Sequence, residues 1–174
     1  MEEITGQDVV LKLENMQRAG AYKTRGAASM MARLPAVERG AGVVAAAAGN
    51  HAQGVALAAR RLGLLYLIVM PQGASWPKVM ATRSFAATVE LRGQTSDESL
   101  EVAHAIAADT GAAFAPPFDH PDVICGQATV GAELFARRPE LDTVVVPMGG
   151  GLISGVTAAE VHHHASAGRQ VRIV

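Results

Sequence analysis

Cysteine is almost absent from this chain of 174 residues: Cys125 is the single one, so no intrachain disulfide can form and nothing calls for an oxidising compartment. Aromatic residues make up only 4%, which argues against a surface built on stacking rings. Charge of one sign is not in excess either: 15 Lys and Arg face 16 Asp and Glu, a formal net charge of −1. That balance leaves no electrostatic reason to expect nucleic acid or an anionic membrane as a partner. No apolar run approaches the roughly 20 residues of a membrane-spanning helix. The first residues, Met1-Glu2-Glu3-Ile4, do not follow the basic-then-apolar pattern of a secretory leader. These features together point to a cytoplasmic protein.

Small apolar residues carry the chain. Hydrophobic residues reach 49% and charged ones 18%, which suits a close-packed core of helices on a sheet. Short β-rich runs alternate with longer helical ones, the mark of an α/β fold with a mostly parallel sheet. Strands are expected at Val9–Leu13, Val43–Ala46, Leu65–Met70, Thr88–Leu91, Val144–Val146 and Val171–Val174. Helices are expected at Lys23–Leu34, Asn50–Leu62 with a stop at Gly63, Pro77–Phe85, Ser96–Thr110, Pro121–Arg138 and Leu152–Ala165. Thr95 or Ser96 caps the fourth of these, with Glu98 in its first turn. With no linker and no repeat, a second lobe has to arise from the chain leaving one sheet and returning, with the middle third as the excursion.

Three strand-to-helix junctions hold residues with chemical potential. In Lys12-Leu13-Glu14-Asn15-Met16-Gln17 and the following Gly20-Ala21-Tyr22-Lys23-Thr24-Arg25-Gly26, a lysine stands at the mouth of a helix. The positive end of the helix dipole disfavours its charged form and promotes a nucleophilic or basic amine. A solvated surface lysine fits the same stretch. In Ala47-Ala48-Gly49-Asn50-His51-Ala52-Gln53, free N–H groups at a helix start suit a carboxylate, and Asn50 can cap the helix or present its amide to a ligand. An N-cap with an ordinary first-turn His51 fits equally well. In Pro147-Met148-Gly149-Gly150-Gly151-Leu152, consecutive glycines let backbone N–H groups turn toward a phosphate, although a tight structural turn also needs them. The spacing matches neither the Walker sequence nor the dinucleotide fingerprint.

In this order the three stretches resemble the pyridoxal-phosphate enzymes of fold type II, the tryptophan synthase β-like fold, and within it the threonine/serine dehydratase and serine racemase group. The likeness runs on through Lys78-Val79, Ala81-Thr82-Arg83 and Pro116-Pro117-Phe118-Asp119, and covers essentially the whole chain. It implies lobes of three layers around parallel sheets: residues 37–120 as a small domain, and 1–36 with 121–174 as an incomplete large domain. It implies pyridoxal 5′-phosphate as cofactor, with Lys23 as both covalent carrier and catalytic base. Tyr22 matches the aromatic against the cofactor ring, Asn50 the partner of the ring hydroxyl, and Gly149, Gly150, Gly151 and Leu152 the phosphate cradle. Ala47, Ala48, Gly49, Asn50, His51 and Gln53 match the loop that holds the substrate carboxylate. The implied reaction converts L-threonine or L-serine to a 2-oxo acid and ammonia. Racemases of the group carry a Ser where this chain has Ala48, which favours dehydration over racemisation.

The chain also departs from the group's pattern. Ala47 replaces a Ser whose hydroxyl helps bind the substrate carboxylate, a loss of about 0.5–1.5 kcal/mol. The glycine turn has three glycines where the group generally has four. The group's N-terminal helices and much of its large domain have no counterpart in these 174 residues, so pairing as a homodimer is expected. Reduced activity, or a catalytically impaired cofactor-binding module, is the other outcome these departures allow. No metal site is expected: His162-His163-His164 point about 100° apart on a helix and form a solvated helix end. Cys125 is expected to be buried, and Trp76 to anchor a helix of the small lobe.

Overall fold

The computed structural model describes residues 2–164 and 170–174. A short helix α1 (Glu2–Thr5) and an irregular stretch with a 3-10 turn at Glu14–Met16 lead to α2 (Lys23–Ala32) and α3 (Ala36–Ala41). There follow β1 (Val43–Ala46), α4 (Asn50–Leu62), β2 (Tyr66–Met70), α5 (Trp76–Arg83), β3 (Thr88–Leu91), α6 (Ser96–Thr110) and β4 (Ala113–Phe114). The last third holds α7 (Pro121–Arg137), β5 (Thr143–Val144), α8 (Leu152–His164) and β6 (Arg172–Ile173).

β1 to β4 form one parallel sheet in the order β3-β2-β1-β4. Both faces are buried, and the period of two decides which side chain goes where. Val43, Ala45, Ile68 and Met70 pack with Met30 and Met31 of α2, Val55 and Ala59 of α4, and Val79 of α5. Val44 and Val69 point the other way, onto Val102, Ala103 and Ile106 of α6. Helix, sheet and helix make the three layers the sequence predicts. The connections through α4 and α5 build outward from β1 to β3, and α6 then carries the chain back to the far side of β1. The order of winding therefore switches sides between the parallel strands β1 and β4, and loops at their carboxyl ends open onto one crevice.

A second bundle joins α2, α7 and α8. Glycine brings these helices close: a Cβ on Gly126 would stand 2.5 Å from Arg25 O and 2.6 Å from Gly26 Cα. On α8, a Cβ on Gly155 would stand 2.6 Å from Ala128 N. Val130, Phe135, Val146, Leu152, Val156 and Val171 form its core, beside the two parallel strands β5 and β6. Helix ends follow the sequence signals. Gly63 and Gly111 take left-handed conformations after α4 and α6, and Thr95 Oγ1 accepts from Glu98 N at 3.2 Å.

Several expectations are corrected. Val9–Leu13 forms no strand: no described segment pairs with it, and a strand without a ladder leaves its N–H and C=O groups to water. The run at 144–146 is a strand only to Val144, with Val145 78% exposed. Gly49, not Asn50, is the N-cap of α4. Trp76 is 63% exposed, and Val79 and Thr82 are the buried residues of α5. Cys125 lies on the exposed face of α7, because Val123, Gly126, Gln127 and Val130 set its inward stripe. His164 is buried against Phe135 and Glu160, while His162 and His163 are exposed. The expected helix end at Ala165 lies outside the described residues.

Candidate functional site

Lys23, Tyr22, His51 and the glycine turn come together around the loop that leaves β4. Lys23 is the first residue of α2, with Tyr22 as its N-cap. α2 packs on α4 at Gly54, where a Cβ would stand 3.0 Å from the Lys23 backbone. This close approach sets the lysine beside the N-terminus of α4. Nζ of Lys23 donates to the Pro117 carbonyl at 2.5 Å, in the loop that leaves β4. It also lies 5.7 Å from the centre of the Tyr22 ring. Burial pushes the Lys23 amine below its ordinary pKa, since the charged form loses hydration there.

The glycine turn closes against the same two side chains. Gly149, Gly150 and Gly151 have φ of +144°, +57° and +77°. A Cβ on Gly150 would overlap Lys23 Nζ and Tyr22 Oη, so only glycine lets the backbone come this near. Tyr22 Oη donates to Gly149 O at 3.1 Å, and burial raises its pKa. Leu152 N donates to Gly149 O at 3.0 Å and closes the turn. The N–H groups of Gly149, Gly150 and Gly151 donate to no partner among the described residues, at the start of α8.

His51 is a buried residue, 7% exposed, in the first turn of α4. Its Nε2 lies 3.0 Å from Ala115 O. A carbonyl can only accept, so Nε2 carries a proton, and burial above all pushes the pKa down to about 4, which favours the neutral ring at neutral pH. His51 thus holds the start of the loop whose Pro117 carbonyl takes Lys23. Ala47 N remains bonded to Val69 O at 3.1 Å, extending the sheet, while Gly49 ends it. Ala48 borders a cleft of about 460 Å³ with Pro71, Lys78 and Thr95. Asn50 is exposed, with no side-chain hydrogen bond among the described residues, and Gln53 is half-buried.

Three features escape a reading of the sequence. The first is an ion-pair network below the lysine: Arg25 bridges Glu14 at 2.8 Å and Glu133 at 2.7 Å, and Lys12 reaches Glu133 at 2.7 Å. It ties the loop before Lys23 to α7. Hydrogen bonding from Arg25 holds the Glu133 carboxyl down at about 2. Glu14 is raised by burial, but its bonds to Arg25 and Lys12 prevail and lower it. The second is the Pro117 carbonyl, a backbone atom with no side-chain signature. The third is Gln127, fully buried on α7 beside the glycine turn. Its polar side chain in a stretch of small and apolar residues was the available signal.

A family profile described as "Pyridoxal-phosphate dependent enzyme" matches residues 1–174, and the chain belongs to that family. Within it, the chain is 50% identical over 160 residues to an L-threonine ammonia-lyase of Thermotoga maritima, covering 91% of this chain and 40% of that protein. The structure superimposes on the processed form of threonine deaminase isoform 2 from Solanum lycopersicum with a TM-score of 0.93 and 38% identity. That match covers 99% of this chain and 47% of the tomato one. Maize serine racemase gives 0.92 and 35%, covering 99% and 51%. The chain thus spans about half the length, or less, of these relatives. The parallel-sheet lobe described above is the fold type II arrangement of the pyridoxal-phosphate-dependent family, shared with these neighbours.

Proposed function

We propose that this chain forms the lysine-bearing half of a threonine/serine dehydratase, an ammonia-lyase that turns L-threonine or L-serine into a 2-oxo acid and ammonia. One observation carries the reading: the half-buried Lys23 amine lies against the Gly149–Gly151 turn, whose N–H groups have no protein partner among the described residues. This donor set fits pyridoxal phosphate, an amine for its aldehyde and unpaired amides at a helix start for its phosphate. Tyr22 packs beside the lysine and would flank the ring. Asn50, whose amide has no protein partner among the described residues, would take the ring hydroxyl. Leu152 would contribute by closing the turn.

When bound, the cofactor supplies an electron sink for the pair left by cleavage of the Cα–H bond. The rest falls to the chain. The Ala47–Gln53 loop, with Ala48, Gly49 and the amides of Asn50 and His51, would hold the substrate carboxylate at the positive end of α4. Lys23, with its pKa lowered by burial, would remove the α-proton as a free amine. The Pro117 carbonyl would receive Nζ when it is not otherwise engaged. The water lost with the β-hydroxyl returns in the hydrolysis that releases ammonia. Ala48 offers no acid or base for a second face, which supports elimination over racemisation.

The reading includes a division into residues 37–120 and 1–36 with 121–174, supported by confinement of the four-stranded sheet to residues 43–114. It also includes a homodimer, supported by exposed apolar side chains such as Met148, 89% exposed, and a cytoplasmic location in keeping with amino-acid metabolism. Among the described residues no helix is long and apolar enough to cross a membrane. A second reading, a cofactor-binding module with impaired catalysis, is favoured by Ala47, which brings no hydroxyl to the carboxylate loop. Two measurements decide. Added pyridoxal phosphate should give the visible band of lysine-bound cofactor, and Lys23→Ala should abolish it; an unchanged band in the variant overturns the assignment. Release of 2-oxo acid from L-threonine or L-serine above the Lys23→Ala control supports the dehydratase, and its absence leaves the module.

A further inference from the structure

Gln127 stands where an apolar side chain would be cheaper. It is 0% exposed, its Oε1 meets no partner among the described residues, and its Nε2 makes one long bond of 3.5 Å to Gly150 O. A buried acceptor without a partner lowers stability and calls for an explanation. The surroundings are shaped to admit the carboxamide: a Cβ on Gly26, three residues after Lys23, would overlap Nε2 and lie 3.0 Å from Cδ. The same side chain reaches the turn from below, its Cγ 3.9 Å from where a Cβ on Gly151 would lie. Gln127 therefore sits between the lysine-bearing helix and the glycine turn, and touches both.

We propose that Gln127 is the positioning residue of the phosphate turn: by donating to the Gly150 carbonyl it keeps the oxygen of the Gly150–Gly151 peptide turned inward to the protein and leaves the Gly151 amide on its other side for the anion. In a run of glycines with positive φ nothing intrinsic fixes which way each peptide faces. A carbonyl oxygen swung toward the phosphate would replace an attraction by a repulsion. Tyr22 and Leu152 hold the Gly149 carbonyl; Gln127 is the donor that selects the orientation of the next peptide, and its own poor satisfaction is the stability given up for that choice.

This rests on the cofactor assignment of Lys23, so the test separates the two. Gln127→Met keeps length and volume but has no donor. Gln127→Glu, ionised, removes the donor and adds a charge that repels the phosphate. Wild type, both variants and Lys23→Ala are titrated with pyridoxal phosphate and with pyridoxal, which lacks the phosphate, following the lysine-bound absorption band and thermal melting. For Gln127→Met the expected result is a loss of roughly tenfold or more in affinity for pyridoxal phosphate. Its pyridoxal affinity should be unchanged and its melting temperature equal or higher. Gln127→Glu, if folded, should lose more of the phosphate-dependent affinity. Equal affinity of Gln127→Met and wild type for pyridoxal phosphate overturns the role while leaving Lys23 in place. A parallel fall for both ligands, or a fall that tracks lower melting, makes Gln127 a packing residue and overturns it too. If wild type shows no lysine-bound band, or Lys23→Ala keeps it, both readings fall.

Discussion

Replacing Gly150 by alanine puts a methyl group into the space shared by the turn, the lysine and the tyrosine. At φ +57° an L-residue is strained by roughly 1–2 kcal/mol. The new Cβ would also overlap Lys23 Nζ and Tyr22 Oη and lie 2.7 Å from Lys23 Cε. Those atoms are ends of flexible side chains, so the overlap is relieved by moving them and the fold survives. The stability loss should stay near the backbone strain, a fall in melting temperature of roughly 2–8 °C for a chain of this size. The functional loss should be larger, because the amine and the ring that move are the groups assigned to the cofactor. Affinity for pyridoxal phosphate is expected to fall at least about tenfold, or 1.4 kcal/mol. The assay is a titration followed by the lysine-bound absorption band, with a melting curve for each protein. Gly40→Ala in α3, whose Cβ would meet nothing within 4 Å, is the control: it should leave binding unchanged and gain about 0.5–1 kcal/mol from helix propensity. A Gly150→Ala protein that binds pyridoxal phosphate as tightly as wild type would refute the shared site.

Two further expectations concern the network below the lysine and the carboxylate loop. Glu133 has its folded-state pKa near 2, below the ordinary 4.5, so its contribution is present above 4.5 and is lost as pH falls toward 2. The melting-temperature gap between wild type and Glu133→Gln should therefore close across that window; the side chain is 41% exposed, which keeps the gap modest, and a gap independent of pH would count against the network. Ala47→Ser restores a hydroxyl to the loop proposed for the substrate carboxylate and should lower KM for L-threonine about two- to tenfold with kcat little changed. An unchanged KM would place the carboxylate elsewhere.

Much of the fold was legible because it obeys local rules. β1, α4, β3 and α6 begin and end at the predicted residues, each bounded by a glycine, a capping threonine or a change from period two to period 3.6. What failed depends on partners far along the chain. Val9–Leu13 has the composition of a strand but no ladder in the described residues, and β4, only Ala113–Phe114, exists because β1 is there to pair with it. Trp76 and Cys125 were placed by residue type, whereas the stripe that faces inward on α5 and α7 is set by Val79, Val123, Gly126 and Gln127.

The candidate site divides along the same line. Lys23, Asn50 and the three glycines sit where a loop runs into a helix, and such helix starts announce themselves through residue type and spacing. The groups that hold them are of another kind. Pro117 and Ala115 act through carbonyl oxygens, which no side chain advertises, and they come to Lys23 and His51 only because the winding order switches sides between β1 and β4. Arg25 meets Glu133 across 108 positions of sequence, and Gln127 meets Gly150 because glycines let α2, α7 and α8 approach backbone to backbone. A reactive amine needs little sequence to specify and a whole fold to aim. The chain invests accordingly: one lysine carries the proposed chemistry, while a neutral histidine, four charged residues and a half-satisfied glutamine hold the surfaces around it.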